Sequence, residues 1–373
     1  MDSLFPDFDL EQACSTLLEG REQEGITRIY TILRKGLQES VSGTGLYPTP
    51  ISLAHFMVEI AQPQPGETIY DPACGLCSFF VEACRYLKKP ADQNISNVFL
   101  GYDINPHLLE TGKAWMKANG IDTSRIQERD LFDNCDDYSD QFKGRYLILT
   151  HPPYEKLVAQ PEKESAWTSN EPVEHYDGIF LRHCMDTLRK HPGGRCGIVV
   201  SQYFFYNSAS KTQRYELAKE YSIHLIIRLP KKLFTTSQRD VNYYSYLIYF
   251  DKQGTTGQIL RCNIHEDETL SRSGEIIFKD AKNIWKRWQE RSFEKPFTLA
   301  DEEQKYAWII DAGTVRKHDP EYKLIDYVPP RPEEKPAFSL DELMQRLVEQ
   351  TGELHELTKE TSEDKLTMMR ERC

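Results

Sequence analysis

Two periods of hydrophobic and polar positions alternate along the middle of the chain. Short apolar runs of the kind that form buried strands are TIYDPA, VFLGYDI, YLILTHP, CGIVVS, IHLIIRLP and YYSYLIYF. Between them, SLAHFMVEIA, SFFVEACRYL, HLLETGKAWMKANG and GIFLRHCMDTLRKH have the spacing of helices that bury one face. Strands that alternate with helices of this length predict an α/β fold, with a mostly parallel sheet covered on both faces.

The same pattern divides the chain into five segments. We predict an N-terminal helical segment (residues 1–44), the α/β domain (45–251), an extension of uncertain fold (252–326), a proline-rich linker (327–337) and an amphipathic helical tail (338–373). In the tail, Ser339 and Glu342 fit a capping box, and Leu340, Leu347 and Leu354 recur at heptad spacing. Two interpretations of this apolar stripe stay open: it packs on its own domain, or it docks on a partner's helices.

Composition favours a folded protein without a membrane span. Hydrophobic residues make up 39% of the 373 and aromatic residues 11%, which predicts a packed interior. No apolar run reaches the roughly 18 residues of a transmembrane helix, and the acidic N-terminus does not resemble a signal peptide, so we expect a cytoplasmic location. The nine cysteines are scattered, which favours free thiols, and no second pair completes a metal site with Cys74 and Cys77.

The net charge of -12 bears on possible partners. Proteins that bind DNA neutralise its phosphates with Lys and Arg, so an acidic chain needs a local basic surface or a partner subunit to hold DNA. The cationic residues 182, 189, 190 and 195 do not settle the matter, because helix ends also collect such residues.

Four predicted strands end in residues suited to ligand binding, and ligands of open α/β sheets bind at this edge. Asp71 and the turn through Ala73 and Gly75 follow the first strand, where a glycine lets the backbone approach a ligand closely. Asp103 ends the next strand, where an acidic residue can hold a ribose diol, or alternatively cap a helix that begins at Pro106.

The other two strand ends suggest contacts with a base. Asp130 and Leu131 are placed to meet an adenine amino group, although a solvated loop acid is also compatible with the sequence. The segment His151-Pro152-Pro153-Tyr154 forms a rigid turn beside a tyrosine ring on which a base could stack. The ordered set of four is more informative than any one of them.

These residues resemble the N6-adenine DNA methyltransferases, and most closely the methylation subunit of type I restriction-modification systems. The family has G-x-Y-F-T-P, DPACGTGGF and NPPY/F in this order, where the chain has GLYPTP, DPACGLCSF and HPPY. The resemblance covers residues 45–251. It implies the Rossmann-like fold of class I S-adenosylmethionine (SAM) methyltransferases, with seven strands and an antiparallel last strand, for which YYSYLIYF is the candidate.

The resemblance also implies a reaction: methyl transfer from SAM to an adenine flipped out of double-stranded DNA. The residues it assigns to SAM are Tyr47, Thr49, Pro50, Asp71, Ala73, Gly75, Asp103, Ile104, Asp130 and Leu131. The residues it assigns to the target base are His151, Pro152, Pro153 and Tyr154. The family's asparagine and first-proline carbonyl accept hydrogen bonds from N6, and its aromatic residue stacks on the base. No metal is implied. The resemblance does imply a specificity subunit, which reads the DNA and docks on the C-terminal helix.

Two departures fall on important positions. His151 replaces the family's asparagine, and a neutral imidazole offers one acceptor nitrogen and a protonated one offers none. Leu76, Cys77 and Ser78 replace Thr-Gly-Gly, so side chains stand where glycines let the backbone approach SAM. A milder change puts Pro48 in the place of an aromatic residue.

Three functions therefore stay open. The first is an active adenine-N6 methyltransferase within a modification complex. The second is a catalytically degenerate subunit with the same fold and a structural or regulatory role. The third is a methyltransferase that acts on a protein glutamine amide, because the NPPY motif serves that chemistry too.

Overall fold

The computed structural model of the protein describes residues 48–88, 98–131, 142, 144–154, 175–234, 243–254, 257–264, 279–291, 297–313 and 315. All of them belong to one of the two units into which the chain divides, Met1–Tyr327. The other unit, Val328–Cys373, lies outside the described residues, and so do residues 1–47 of the first unit. The predictions for the N-terminal segment, the linker and the helical tail therefore stay untested.

The described part of the chain contains seven α-helices, numbered in chain order. They are α1 Ile51–Ala61, α2 Ser78–Leu87, α3 Pro106–Ala118, α4 Tyr176–Lys190, α5 Tyr203–Tyr206, α6 Lys211–Glu220 and α7 Lys279–Gln289. Three short 3-10 turns are Ser208–Ser210, Lys231–Leu233 and Glu303–Lys305. The four helices predicted from hydrophobic spacing correspond to α1 to α4 and are confirmed.

Nine strands form one sheet. They are β1 Thr68–Asp71, β2 Val98–Asp103, β3 Ile126–Glu128, β4 Tyr146–Thr150, β5 Gly194–Ser201, β6 Ser222–Leu229, β7 Ser245–Asp251, β8 Gln258–Asn263 and β9 Ala307–Asp311. Their order is β3-β2-β1-β4-β5-β7-β6-β8-β9. Strand β7 runs antiparallel between β5 and β6, which confirms the expectation for YYSYLIYF.

The sheet is wider than expected by two strands. Strand β8 pairs parallel with β6, and β9 pairs antiparallel with β8. Helix α7 follows β8 in the chain and packs near α1, where the Trp285 indole N–H donates to the Ile60 carbonyl at 2.9 Å. The α/β architecture thus continues past Asp251, within the segment whose fold the sequence left unassigned.

The core lies in two layers because neighbouring residues of a strand point to opposite faces. Ile69 and Leu147 pack with α1, α2, α3 and α7 on one face, whereas Tyr70 and Ile148 pack with α4 and α6 on the other. All residues of β1 and β4 are buried, as expected for central strands covered on both sides. This rigid three-layer arrangement brings the carboxyl ends of β1, β2, β4 and β5 to a single edge.

Candidate active site

The turn after β1 is built from backbone hydrogen bonds. The amide of Ala73 donates to Asp71 Oδ1 at 3.0 Å, and the amide of Cys74 donates to the Tyr102 carbonyl on β2 at 2.8 Å. Gly75 has a φ of +45°, and its amide donates to Asp103 Oδ2 at 2.7 Å. The turn is therefore tied to the neighbouring strand at two points.

Cys77 has a backbone conformation that glycine adopts more readily than other residues. Its φ is +58°, in the left-handed region that favours glycine, and it precedes the first residue of α2. The β-carbon is accommodated because the side chain is buried on the core side, 1% exposed. Cys77 therefore holds a backbone conformation that costs local strain for a residue with a β-carbon.

Helix α3 comes close to this turn at Gly112. A β-carbon there would lie 2.7 Å from both the Cys77 Sγ and the Gly75 carbonyl oxygen. The helix and the turn therefore pack closely at a point where Gly112 has no side chain. Gly112 was not singled out from the sequence, since a glycine within a helix has several explanations.

Asp103 holds two backbone amides and keeps capacity for more. Oδ2 accepts from Gly75, and Oδ1 accepts from the Asn105 amide at 2.8 Å. Each carboxylate oxygen can accept two hydrogen bonds, so one site on each remains for a ligand. Burial raises the pKa of Asp103 above its ordinary value, while the bonds from Asn105 and Gly75 oppose that shift. The alternative that Asp103 caps α3 is wrong, because Asn105 does so, with Pro106 following it.

The Asp71 side chain is buried beneath the turn after β1 and does not line the pocket. It is 2% exposed, and burial raises the pKa of its carboxyl to about 7. Its ionisation state therefore changes near neutral pH, which is unusual for an aspartate.

His151 follows β4 and is enclosed by partners. The Thr49 hydroxyl lies 3.2 Å from Nδ1, and the Tyr154 hydroxyl lies 2.8 Å from Nε2. The ring also lies against Phe234, with centroids 5.1 Å apart. Burial lowers the pKa of His151 to about 3, so the imidazole is neutral at pH 7.

A neutral imidazole has one donor and one acceptor nitrogen. Because a hydroxyl can donate or accept, either tautomer satisfies both the Thr49 and the Tyr154 contact. Both ring nitrogens are thus bonded within the protein. The Tyr154 ring, expected as an open stacking platform, is 6% exposed.

One pocket, open to solvent, joins the two parts of the site. Its lining includes six residues singled out from the sequence for cofactor or target: Thr49, Ala73, Gly75, Asp103, His151 and Pro153. Its lining also includes six residues that were not assigned a ligand: Pro48, Cys74, Leu76, Ser78, Phe79 and Leu108. Ser78 and Phe79 begin α2, and a helix that starts directly after the glycine turn could have indicated them.

Other predicted residues do not line the pocket. They are Pro50, Asp71, Ile104, Asp130, Leu131, Pro152 and Tyr154. Ile104 is 64% exposed directly after Asp103. Asp130 and Leu131 follow β3, which pairs with β2, so they lie farther along the same edge. Tyr47 falls outside the described residues.

Three classes of feature are not found in the part of the chain that the structure describes. No group of three or more His, Cys, Asp or Glu side chains could hold a metal ion among these residues. The cysteines described there, Cys74, Cys77, Cys84, Cys184, Cys196 and Cys262, are all free and buried. None of the described helices is long and apolar enough to cross a bilayer.

Comparison with solved structures identifies the fold. A chain from a study of complex assembly and conformational transition in the type I R-M system has a TM-score of 0.65 and 24% identity, covering 92% of this chain and 72% of that one. A Listeria monocytogenes protein described as a class I SAM-dependent methyltransferase has a TM-score of 0.50 and 18% identity, covering 73% of this chain and 80% of that one. The fold is that of the class I SAM-dependent methyltransferases.

Comparison of sequences identifies the family. The type I restriction enzyme StySJI methylase subunit of Salmonella typhimurium is 25% identical over 270 residues, which are 68% of this chain and 48% of the relative. The chain thus spans about half the length of that curated relative. The model of the N-6 DNA methylase family matches residues 21–335. Since this match extends over most of the sequence, the chain belongs to the N-6 DNA methylase family.

Proposed function

We propose that the chain binds SAM and methylates adenine N6 in double-stranded DNA, as the methylation subunit of a cytoplasmic restriction-modification complex. The observation that carries the proposal is the shared pocket. Gly75 and Asp103, from the predicted cofactor side, line it together with His151 and Pro153, from the predicted target side. A methyl transferase needs donor and acceptor in one cavity, because positioning supplies most of the rate of such a transfer.

The cofactor side fits SAM in its chemistry. It lies in an open pocket that also borders the target side, lined on the cofactor side by Gly75 and Asp103. Asp103 keeps one acceptor site on each carboxylate oxygen for the two hydroxyls of a ribose, and the exposed Ile104 offers an apolar surface for an adenine ring. When bound, SAM supplies the methyl group from its sulfonium.

The target side assigns separate tasks to the HPPY residues. The Pro152 carbonyl belongs to the main chain, so it is an acceptor whatever residue precedes it. It would orient the adenine N6 lone pair. His151 can accept a hydrogen from N6 only if it gives up the bond to Thr49 or Tyr154. No acid-base group is needed, and a neutral His151 introduces no positive charge beside a cationic cofactor.

The same geometry favours a second candidate, a catalytically degenerate subunit that retains SAM or DNA binding without transfer. Its specific support is the pair of hydrogen bonds that occupies both ring nitrogens of His151. If those bonds persist with DNA bound, only the Pro152 carbonyl is left to accept from N6, and one of the family's two acceptors is lost.

The partner is part of the proposal. The chain carries a net charge of -12, and three arginines of the domain are neutralised internally: Arg182 by Glu216, Arg189 by Asp186, and Arg195 by Glu67. These residues do not supply a phosphate-binding surface. A specificity subunit that docks on the predicted helical tail, residues 338–373, would supply further contacts to the DNA phosphates.

The test is transfer of a radiolabelled methyl group from SAM to DNA, with the wild-type chain and three variants. The variants are His151→Asn, Cys77→Gly and the double substitution, each measured with the assembled complex. Labelled DNA from the wild-type protein supports the enzyme. Labelled DNA only after His151→Asn supports the degenerate subunit.

Two further outcomes separate the remaining possibilities. Label in protein rather than DNA would indicate the glutamine-amide methyltransferase. No transfer by any variant, together with no calorimetric SAM binding, would overturn both the enzyme and the SAM-binding subunit. Asp103→Ala serves as the matched inactive control, because it removes the predicted ribose ligand without touching the HPPY turn.

A further inference from the structure

Two large apolar side chains at the edge of the sheet have no task in the proposed reaction. The structure describes three exposed large hydrophobic residues: Ile104 at 64%, Tyr203 at 41% and Tyr206 at 55%. Ile104 directly follows Asp103 and is one of the residues predicted to contact SAM. Tyr203 and Tyr206 lie on α5, directly after β5, beside the HPPY turn that follows β4. Exposed aromatic side chains next to a site indicate a binding surface.

Tyr203 is part of a row of rings. The ring of His175 stacks on Tyr203, with centroids 5.0 Å apart and an interplanar angle of 1°. Tyr203 contacts Tyr243 at 5.8 Å, and Tyr243 contacts Tyr154 at 6.1 Å. We call His175, Tyr203 and Tyr243 the outer aromatic row, since they continue outward from the buried Tyr154.

The outer aromatic row is fixed by hydrogen bonds between its loops. His175 Nδ1 donates to the Tyr154 carbonyl at 3.1 Å. The Asp177 carboxylate, in the first turn of α4, accepts from the Ser201 amide at 2.7 Å, which joins α4 to the end of β5. The surface is therefore organised before any ligand binds, which lowers the entropy that binding costs.

Gln202 makes the remaining connection. Its amide donates to the Tyr244 carbonyl at 2.8 Å, and its side-chain oxygen accepts from the Tyr244 amide at 3.0 Å. The segment that carries Tyr203 is thereby joined to the segment that carries Tyr243. Neighbouring loops hold all three rings in place.

Two positive charges lie against Tyr244, next in the chain to a member of the outer aromatic row. The Arg228 guanidinium and the Lys231 ammonium each lie 4.5 Å from the ring centroid of Tyr244, the residue that follows Tyr243. Aromatic faces for bases beside cations for phosphates are the combination that binds unpaired nucleic acid strands. Charge complementarity thus favours a nucleic acid over an apolar protein segment.

We propose that the outer aromatic row is a stacking surface for an unpaired base of the DNA, with Tyr203 as the contact ring. The inference rests on the proposed function in that it takes DNA as the substrate. It places the base next to the methyl-transfer pocket rather than inside it, because Tyr154 is buried and bonded to His151, whereas Tyr203 is exposed. A base lifted from the duplex loses its stacking partners, and Tyr203 replaces one of them.

The experiment compares two fluorescein-labelled single strands of about 20 nucleotides, oligo-dA and an abasic strand with the same phosphates. Binding is followed by anisotropy with the full chain, without SAM. We expect Tyr203→Ala to weaken binding of oligo-dA about tenfold, in the range measured for loss of one stacking ring, and to leave the abasic strand unchanged. Tyr203→Phe, which keeps the ring, should bind like the wild type.

Tyr206→Ala is the matched control, because Tyr206 is also exposed on α5 but lies outside the outer aromatic row. Arg228→Gln should weaken both strands equally, since it removes a charge and no stacking ring. A Tyr203→Trp variant gives a second readout: its added indole fluorescence should be quenched by oligo-dA and not by the abasic strand.

Three results would overturn the proposal. They are equal weakening of both strands by Tyr203→Ala, equal weakening by Tyr206→Ala, and no binding of either strand by the wild-type chain. The far-ultraviolet circular dichroism and thermal unfolding of Tyr203→Ala, compared with the wild type, check that the variant is folded. Because the strands are tested without SAM, a failure of methyl transfer and a failure of stacking are separate results.

Discussion

The two halves of the pocket depart from their family's sequence pattern with different consequences. On the cofactor side, Cys77 replaces a glycine, yet it adopts a φ of +58° and the turn keeps its bonds to β2. On the target side, His151 replaces an asparagine, and its ring is bonded to Thr49 and Tyr154. The first change costs backbone strain, and the Cys77 side chain does not line the pocket. The second uses up hydrogen-bonding groups that a substrate would need.

The difference shows that the kind of group replaced matters more than the number of replacements. A backbone turn tolerates a β-carbon that can point into the core. A hydrogen-bond acceptor cannot be replaced by a group whose acceptors are already occupied. SAM binding is consequently expected to be more robust than methyl transfer.

The largest effect is expected from Asp103→Ala. The variant leaves the amides of Gly75 and Asn105 without their acceptor and removes the ribose ligand, so SAM affinity should fall about 100-fold, as for the loss of a charged hydrogen-bonding group. Isothermal titration calorimetry measures it. Asp122→Ala, an exposed aspartate bonded to Ser124, is the control and should bind SAM normally. Equal affinity of both variants would contradict the assignment of Asp103.

The next effect concerns the packing of α3 on the turn. A β-carbon in Gly112→Ala would meet Gly75 and Cys77 at 2.7 Å, so the free energy of unfolding should fall by about 2 kcal/mol, as in overpacked cores. Urea denaturation measures the change. SAM affinity should fall as well, because the turn must shift. Gly257→Ala, whose β-carbon would meet nothing within 4 Å, should leave both quantities unchanged.

The third effect is a pH dependence of SAM binding. Burial raises the pKa of Asp71 to about 7, and a cationic cofactor favours the ionised carboxylate. Affinity should therefore rise up to about tenfold between about pH 6 and 8, with release of a proton. Calorimetry in buffers of different ionisation enthalpy detects that proton. Asp71→Asn should remove the dependence, and an unchanged pH profile would rule Asp71 out as its source.

The same shift has an opposite consequence for the chain without ligand. The pKa of Asp71 is raised by folding, so its contribution to stability is complete in acid and is lost as the pH rises through about 7. Without a bound cation near it, the ionised carboxylate has no compensating interaction with a ligand, so ionisation lowers the free energy of unfolding.

The smallest effect is expected on the target side. Tyr154→Phe removes one partner of His151 and should lower the free energy of unfolding by about 1 kcal/mol, the usual value of one hydrogen bond. It frees a ring nitrogen while keeping an aromatic face. If His151 limits transfer, the rate of methylation should rise in this variant. Tyr86→Phe, remote from the pocket, controls for the loss of a tyrosine hydroxyl.

Local patterns allowed most of the central fold to be predicted. The runs that became β1, β2 and β4 to β7 are apolar enough to indicate buried strands, and α1 to α4 have clear helical spacing. Strand β3 was missed because Ile126 is its single buried residue, which leaves no period to detect. Strands β8 and β9 were not assigned from the sequence. They pair with each other at the edge of the sheet although more than 40 residues separate them, and no local pattern indicates such a pairing.

The sequence allowed many residues of the site to be predicted, but not the contacts between them. The edge that gathers Asp71, Asp103 and the HPPY turn follows from the rule for parallel strands. The bond between Thr49 and His151 joins residues 102 positions apart and depends on how α1 packs. Likewise, the approach of Gly112 to the turn requires the position of α3, which no local pattern supplies.

The antiparallel placement of β7 has a consequence for how such a protein can change over evolutionary time. By running back between β5 and β6, it delivers the loop with Tyr243 to the rim where the cofactor turn also lies, although the two come from separate parts of the chain. Substitutions near Tyr243 and substitutions in the cofactor turn therefore fall on different strand connections. We expect the two segments to diverge independently among relatives, as long as the strands between them stay paired.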